Sequence, residues 1–217
     1  MTSKQKQSKQ PQLEQSSGSK KSLIVGLIGG GVVLLLVLAV VMGTTVIGSE
    51  FGDPTIEGTG LPPMPPNNPV DVSATGLESP KVTGENFAGS EVVIDPADGR
   101  AKAIVFLAHW CPHCQAEVPL VQEWIDAGGG VDGVDMYAVA TAMNSARGNF
   151  PPSAWLDNEG WTAPVLRDDN SNSVLRAFGS GGFPFWTFVN ADGTVALRIA
   201  GRMPVDQLES IMQGLSQ

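Results

Sequence analysis

Ala103-Ile-Val-Phe-Leu-Ala108 is six apolar residues in a row, with no polar residue alternating between them. A strand wetted on one face alternates, whereas a strand covered on both faces reads as an unbroken apolar run. The run therefore predicts a central strand in a layered α/β domain. The chain leaves it directly into His109-Trp-Cys-Pro-His-Cys114, which holds both cysteines and both histidines of the 217-residue protein. All the thiols and near-neutral titrating groups thus stand at the end of one buried strand.

The flanking pattern supports that assignment. Val118, Val121, Trp124 and Ile125 recur at helical spacing up to Gly128-Gly-Gly130, a natural stop. Pro119 inside this helix is expected to kink it. Val134–Ala140 reads as a second core strand, Pro151-Pro-Ser-Ala-Trp-Leu156 as the start of a short helix, and Pro164–Arg167 as a brief strand. A helix over Asn172–Phe178 closes at Gly179. Phe185–Val189 and Thr194–Ile199 flank Asn190-Ala-Asp-Gly193, the signature of an antiparallel hairpin, and Val205–Leu215 is amphipathic. Upstream, Val82–Asp95 suggests two short strands around a Gly-containing turn. The order predicts an α/β domain with a mixed central sheet and helices on both faces.

The N-terminal region has a different character. Residues 1–22 carry five lysines against Glu14 and almost nothing apolar, which predicts a disordered tail. From Leu23 to Ile47 there are 25 residues without a charge, about 37 Å as a helix and long enough to span a bilayer. The preceding lysines put the tail in the cytoplasm and the rest outside, a single-pass arrangement in the cell membrane. A cleaved signal peptide is the competing reading, but its apolar region is normally shorter. Residues 48–79 are dense in proline and read as an extended linker, leaving 80–217 for the domain. Residues 48–217 carry 8 basic against 21 acidic side chains, a balance that argues against nucleic-acid binding.

Cys111 and Cys114 straddle the predicted strand-to-helix junction. A cysteine at a helix N-terminus is favoured as thiolate by unpaired N–H groups and the positive end of the dipole. Cys114, one turn on, is within reach of a disulfide. Cys111 is then the nucleophile and Cys114 the resolving thiol, exchanging disulfides with protein thiols or disulfides. The redox-active Cys111–Cys114 pair needs no other cofactor. His113, as a cation beside the thiolate, would stabilise it further, with Pro112 completing the dipeptide; His109 reads as a surface or packing residue. Half a zinc site lacks its second ligand pair, and covalent haem requires His where Gln115 stands. A purely structural disulfide closing so small a loop would stabilise little. A metal-binding or copper-handling protein stays as the alternative from another class.

Trp110-Cys-Pro-His-Cys114, Pro119 and the Pro184 that follows Phe183 resemble the thioredoxin superfamily over about 80–217. Cys114-Gln-Ala-Glu117 is similar to the membrane-anchored TlpA-like reductases, whereas Pro112-His113 resembles the DsbA-type oxidants. The resemblance implies a thioredoxin-like fold, a cis bond before Pro184, and a substrate-binding surface of Trp110, Phe183 and Pro184. It also implies a membrane redox partner that resets the dithiol. Thioredoxin's buried aspartate is replaced by Val105, which leaves Glu117 as the candidate for proton transfer to Cys114. Of the aromatic residues Trp155, Trp161, Phe183, Phe185 and Trp186, a substrate-gripping rim is one reading, and packing is expected for Phe185 and Trp186. A peroxiredoxin reading is disfavoured by Ala108, where those enzymes carry threonine. Pro112-His113 argues for oxidation and Glu117 for reduction, so the direction of electron flow stays open.

Overall fold

A computed structural model of the chain describes residues 50–217. The tail over 1–22 and the span over 23–47 lie outside the described residues. Within them, no helix is long and apolar enough to cross a membrane.

Strands β1 (Thr55–Glu57), β3 (Lys81–Glu85) and β4 (Glu91–Ile94) form a small antiparallel sheet in the order β1-β3-β4. The larger sheet contains β2 (Val70–Asp71), β5 (Ala101–Leu107), β6 (Val134–Ala140), β7 (Val165–Arg167), β8 (Phe185–Val189) and β9 (Val195–Ala200). Its order is β2-β9-β8-β5-β6-β7; β5, β6 and β7 run parallel, and β8, β9 and β2 complete it antiparallel. Every residue of β5 is buried, as the unbroken apolar run predicts. The helices are α1 (Pro112–Asp126), α2 (Pro152–Asn158), α3 (Ser173–Ala177) and α4 (Val205–Leu215).

The two faces of the large sheet are covered differently. On one, Val118 and Val121 of α1, Trp155 of α2, and Leu208 and Met212 of α4 pack on Val105, Trp186 and Phe188. On the other, Val174 of α3 and Phe178 share the cover with Val82 and Ile94 of the small sheet, and with Leu61, Met64 and Ala74. Helices alone on both faces is therefore too simple; a second sheet and an irregular segment do most of the covering there. Phe106, wholly buried between the Phe178 and Phe185 rings at 5.1 and 5.5 Å, anchors this side. Truncating such a ring to alanine typically costs about 3–5 kcal/mol.

The extended linker predicted for 48–79 is corrected over its described part, which is folded into the domain. Leu61 and Met64 are buried, and their N–H groups donate to the carbonyls of Ala177 and Gly179 at 2.7 and 2.8 Å. Asp71 pairs with Arg198 of β9, both buried, and Arg198 also donates to the carbonyls of Pro62 and Phe178 at 2.8 and 2.9 Å. Composition misleads here for a physical reason. The prolines hold an extended backbone that needs few internal hydrogen bonds, and a handful of well-spaced apolar side chains suffices to fasten it along the sheet.

Candidate active site

The C-terminal end of β5 delivers the dithiol. Cys111 is the N-cap of α1, with extended backbone angles of −79° and 120°. Pro112 follows at the first helical position, where its missing N–H leaves nothing unsatisfied. The Gln115 N–H donates to the Cys111 carbonyl at 3.1 Å, the first turn of the helix. Pro119 sits inside α1, which continues through it to Asp126.

Both cysteines are free thiols, and their surroundings differ. Cys111 keeps 6% of its surface exposed, and its thiol lies 3.7 Å from the carbonyl of Phe183 and beside the Cys114 thiol. Cys114 is wholly buried. Its burial pushes the thiol well above the usual range, and the neighbouring Cys111 and Glu117 add to that; the Ala108 backbone offsets a part. The Phe183–Pro184 bond is cis, as the resemblance implied, and so is Phe150–Pro151. Pro184 is buried, and its carbonyl accepts from the Gly201 N–H at 2.8 Å.

Trp110 and Phe183 form one wall of the thiol site. Their rings meet edge to face at 6.0 Å, and the Trp110 Nε1–H donates to the Ala142 carbonyl at 2.7 Å. Ala142 has a left-handed φ of 49°, and its own N–H donates to Asn172 Oδ1 at 2.9 Å. Arg147 lies across the Trp110 ring, 4.3 Å from its centroid. Pro112 and His113 are exposed.

His109 is buried and holds the loop that carries Ala142 and Arg147. Its Nδ1 is 2.8 Å from the Gly148 carbonyl, and its Nε2 accepts from the Asn144 N–H at 3.1 Å. That pattern requires a neutral ring protonated at Nδ1. Burial lowers its pKa, partly opposed by the Gly148 carbonyl. Packing, not surface chemistry, is its place. With both nitrogens engaged, His109 has no lone pair to offer a metal.

Glu117 is not the exposed first-turn carboxylate that such positions usually hold. It is 2% exposed, and its two oxygens accept from Trp186 Nε1–H at 2.7 Å and from the Met203 N–H at 2.9 Å. Burial raises its pKa, with these two bonds and Arg202 pulling the other way. Phe185, Trp186 and Trp155 are buried as core and half-buried Trp161 packs against it, so of the aromatics considered, half-buried Phe183 is the one that joins Trp110 in the wall.

The loop after β6 carries no sequence signal that would have placed it here. Its geometry comes from Asp168, a buried carboxylate accepting from Thr141 Oγ1 at 2.6 Å and from the N–H groups of Val174 and Leu175 at 3.0 and 3.1 Å. The same carboxylate therefore caps α3 and ties the loop start to it.

The Redoxin family model matches residues 74–213. The chain belongs to the Redoxin family. It is 25% identical over 136 residues to the thiol-disulfide oxidoreductase ResA of Oceanobacillus iheyensis, covering 63% of this chain and 68% of that one. MTB DsbF, solved in mixed oxidized and reduced forms, is 25% identical with a TM-score of 0.52, over 61% of this chain and 93% of that one. A thiol:disulfide interchange protein from Chlorobium tepidum shares the thioredoxin-like fold at 22% identity and a TM-score of 0.53, over 68% and 99%. Family, fold and buried dithiol agree on one enzyme class, thiol-disulfide oxidoreductase.

Proposed function

We propose that this Redoxin protein is a membrane-tethered, extracytoplasmic enzyme that exchanges disulfides with protein substrates through Cys111 and Cys114. The observation that carries the reading is the asymmetry of the two thiols at one helix N-terminus, one keeping 6% of its surface in contact with solvent and one wholly buried. The tether rests on the uncharged Leu23–Ile47 stretch with lysines before it and an acidic chain after it. A membrane redox partner resets the dithiol.

In the reducing direction, the Cys111 thiolate attacks one sulfur of a client disulfide. The Cys111–client bond forms as the client S–S bond breaks, and the first client sulfur leaves as thiolate. Cys114 then gives up its proton and attacks the Cys111 sulfur, forming the Cys111–Cys114 disulfide and releasing the second client thiolate. Two electrons have passed to the client. The oxidising direction is the same sequence reversed.

The buried Cys114 thiol ionises with difficulty, so its proton needs an acceptor. Glu117 takes that part: it lies one turn further along α1, is buried, and has a pKa moved upward by desolvation. Pro112 and His113 tune the Cys111 end of α1, and Trp110, Phe183 and Pro184 form the surface against which the client segment lies.

Two measurements test this. Exchange with a protein disulfide should vanish in Cys111→Ser, and retained exchange would refute the assignment. The reduction potential gives the direction: about −120 mV marks an oxidant and about −270 mV or below a reductant.

A further inference from the structure

The distribution of cations in the domain points to the kind of client the site takes. Among the described residues, five of the eight Lys and Arg side chains are matched to carboxylates: Lys81, Arg100, Lys102, Arg167 and Arg198. Arg176 faces Asp169, whose pKa it helps to lower. Arg147 and Arg202 are exposed and in no ion pair among the described residues, and both border the thiol site, Arg147 against Trp110 and Arg202 near enough to Glu117 to lower its pKa.

Arg147 is fixed over Trp110, which touches Phe183, whose carbonyl meets the Cys111 thiol. Arg202 follows Gly201, whose N–H is bound to the Pro184 carbonyl, and precedes Met203, whose N–H is bound to Glu117. Its charge is felt at the buried Glu117. Glu50, the acid whose charge reaches His109, is turned to the hydroxyl and N–H of Ser153 at 2.9 and 3.2 Å.

One cluster of carboxylates is neutralised far from the thiols. Asp95, Asp98 and Asp135 gather at the start of β5 and β6, where they hold Lys81, Arg100 and Lys102. Seven strand residues separate that end from the thiol end, about 23 Å. At 0.1 M salt this is more than two screening lengths, roughly 10 Å each. A client at Cys111 has two cations, Arg147 and Arg202, bordering its site in a chain of net charge −9.

We propose that Arg147 and Arg202 are specificity-determining residues that favour client segments with an acidic residue flanking the reacting cysteine. The proposal rests on the thiol-disulfide exchange reading and names the substrate class of that same site. Electrostatic complementarity of this kind acts mainly through the rate of productive encounter.

The test uses the reduced full-length chain and three peptides, each a single cysteine in mixed disulfide with 2-nitro-5-thiobenzoate. The cysteine is flanked by Glu, by Lys or by Ala, and release of the chromophore reports attack by Cys111. At about 0.1 M salt the Glu peptide should react roughly five- to tenfold faster than the Lys peptide. That ratio should fall toward unity in the Arg147→Gln, Arg202→Gln double variant, survive in Arg147→Lys, and shrink at about 0.5 M salt. A ratio at or below unity in the unaltered chain, or one unchanged in the double variant, overturns the proposal while leaving exchange itself standing. Failure of all three peptides, Ala included, overturns the exchange reading and this proposal with it.

Discussion

The large sheet handles its buried polar groups in two ways. Where β5 begins, the wholly buried Lys102 ammonium is surrounded by Asp98 at 2.6 Å, the Arg100 carbonyl at 2.9 Å and Asp135 at 3.3 Å. At the sheet edge, Arg198 spends its guanidinium on Asp71 and two carbonyls. Where β5 ends, the Cys111 thiol has only a long contact to the Phe183 carbonyl and the neighbouring Cys114 thiol, and the buried Cys114 and Glu117 have pKa values pushed upward by desolvation. Saturated groups hold a structure together, because a fully paired charge has nothing left to react with. Thiols with only weak partners, and a carboxylate whose two hydrogen bonds do not cancel its desolvation, stay poised for proton and electron transfer.

The largest expected effect is on the saturated side. Asp71→Ala leaves the Arg198 charge buried without its counter-ion, a loss of about 3–5 kcal/mol, measured as a lowered denaturant midpoint. A loss below about 1 kcal/mol would mean that Arg198 is hydrated, and the contrast between the two regions would weaken. Next comes the thiol side: Trp186→Phe removes the Nε1–H donor from Glu117 and should cost about 1–3 kcal/mol. It should also raise the Glu117 pKa further, followed as a shift in the pH profile of exchange to higher pH. Glu117→Gln should slow the resolving step more than the first attack, seen as accumulation of the mixed disulfide.

A smaller effect tests the loop that borders the site. His109 is neutral and depressed in the fold, whereas an unfolded imidazole titrates near 6.5. Between those two values the unfolded chain binds the extra proton, so stability rises with pH across the window. The contribution is complete above about 6.5 and is lost below the folded value, with a slope of at most about 1.4 kcal/mol per pH unit. His109→Gln should remove that slope in pH-dependent unfolding curves. The smallest effect is expected for Lys102→Met, within about 1.5 kcal/mol, because an apolar chain of similar volume replaces the stem and the part-exposed Asp98 and Asp135 can hydrate.

Much of the domain was legible because its signals are local. The unbroken run of β5, the Asp-Gly turn before β9 and the helical spacing behind Cys114 each depend on residues a few positions apart, and the structure follows them closely. Pro184 was placed by resemblance, and its cis bond agrees. The misses are all long-range. Asp71 finds Arg198 across 127 positions, and Arg147 reaches Trp110 through a loop whose shape is set by Asp168 and His109. Neither leaves a periodicity behind. Glu117 was singled out by its spacing from Cys114, yet its burial comes from Trp186 and Met203, far along the chain.

The division of labour between the two thiols is tested most directly by trapping. When Cys114→Ser is mixed with an oxidised protein substrate, a mixed disulfide on Cys111 should accumulate and persist, identified by intact mass and by peptide mapping. Cys111→Ser should trap none, because the remaining Cys114 thiol is wholly buried and held in its protonated form. A stable adduct on Cys114 in the Cys111→Ser variant, or none on Cys111 in the Cys114→Ser variant, would contradict the account.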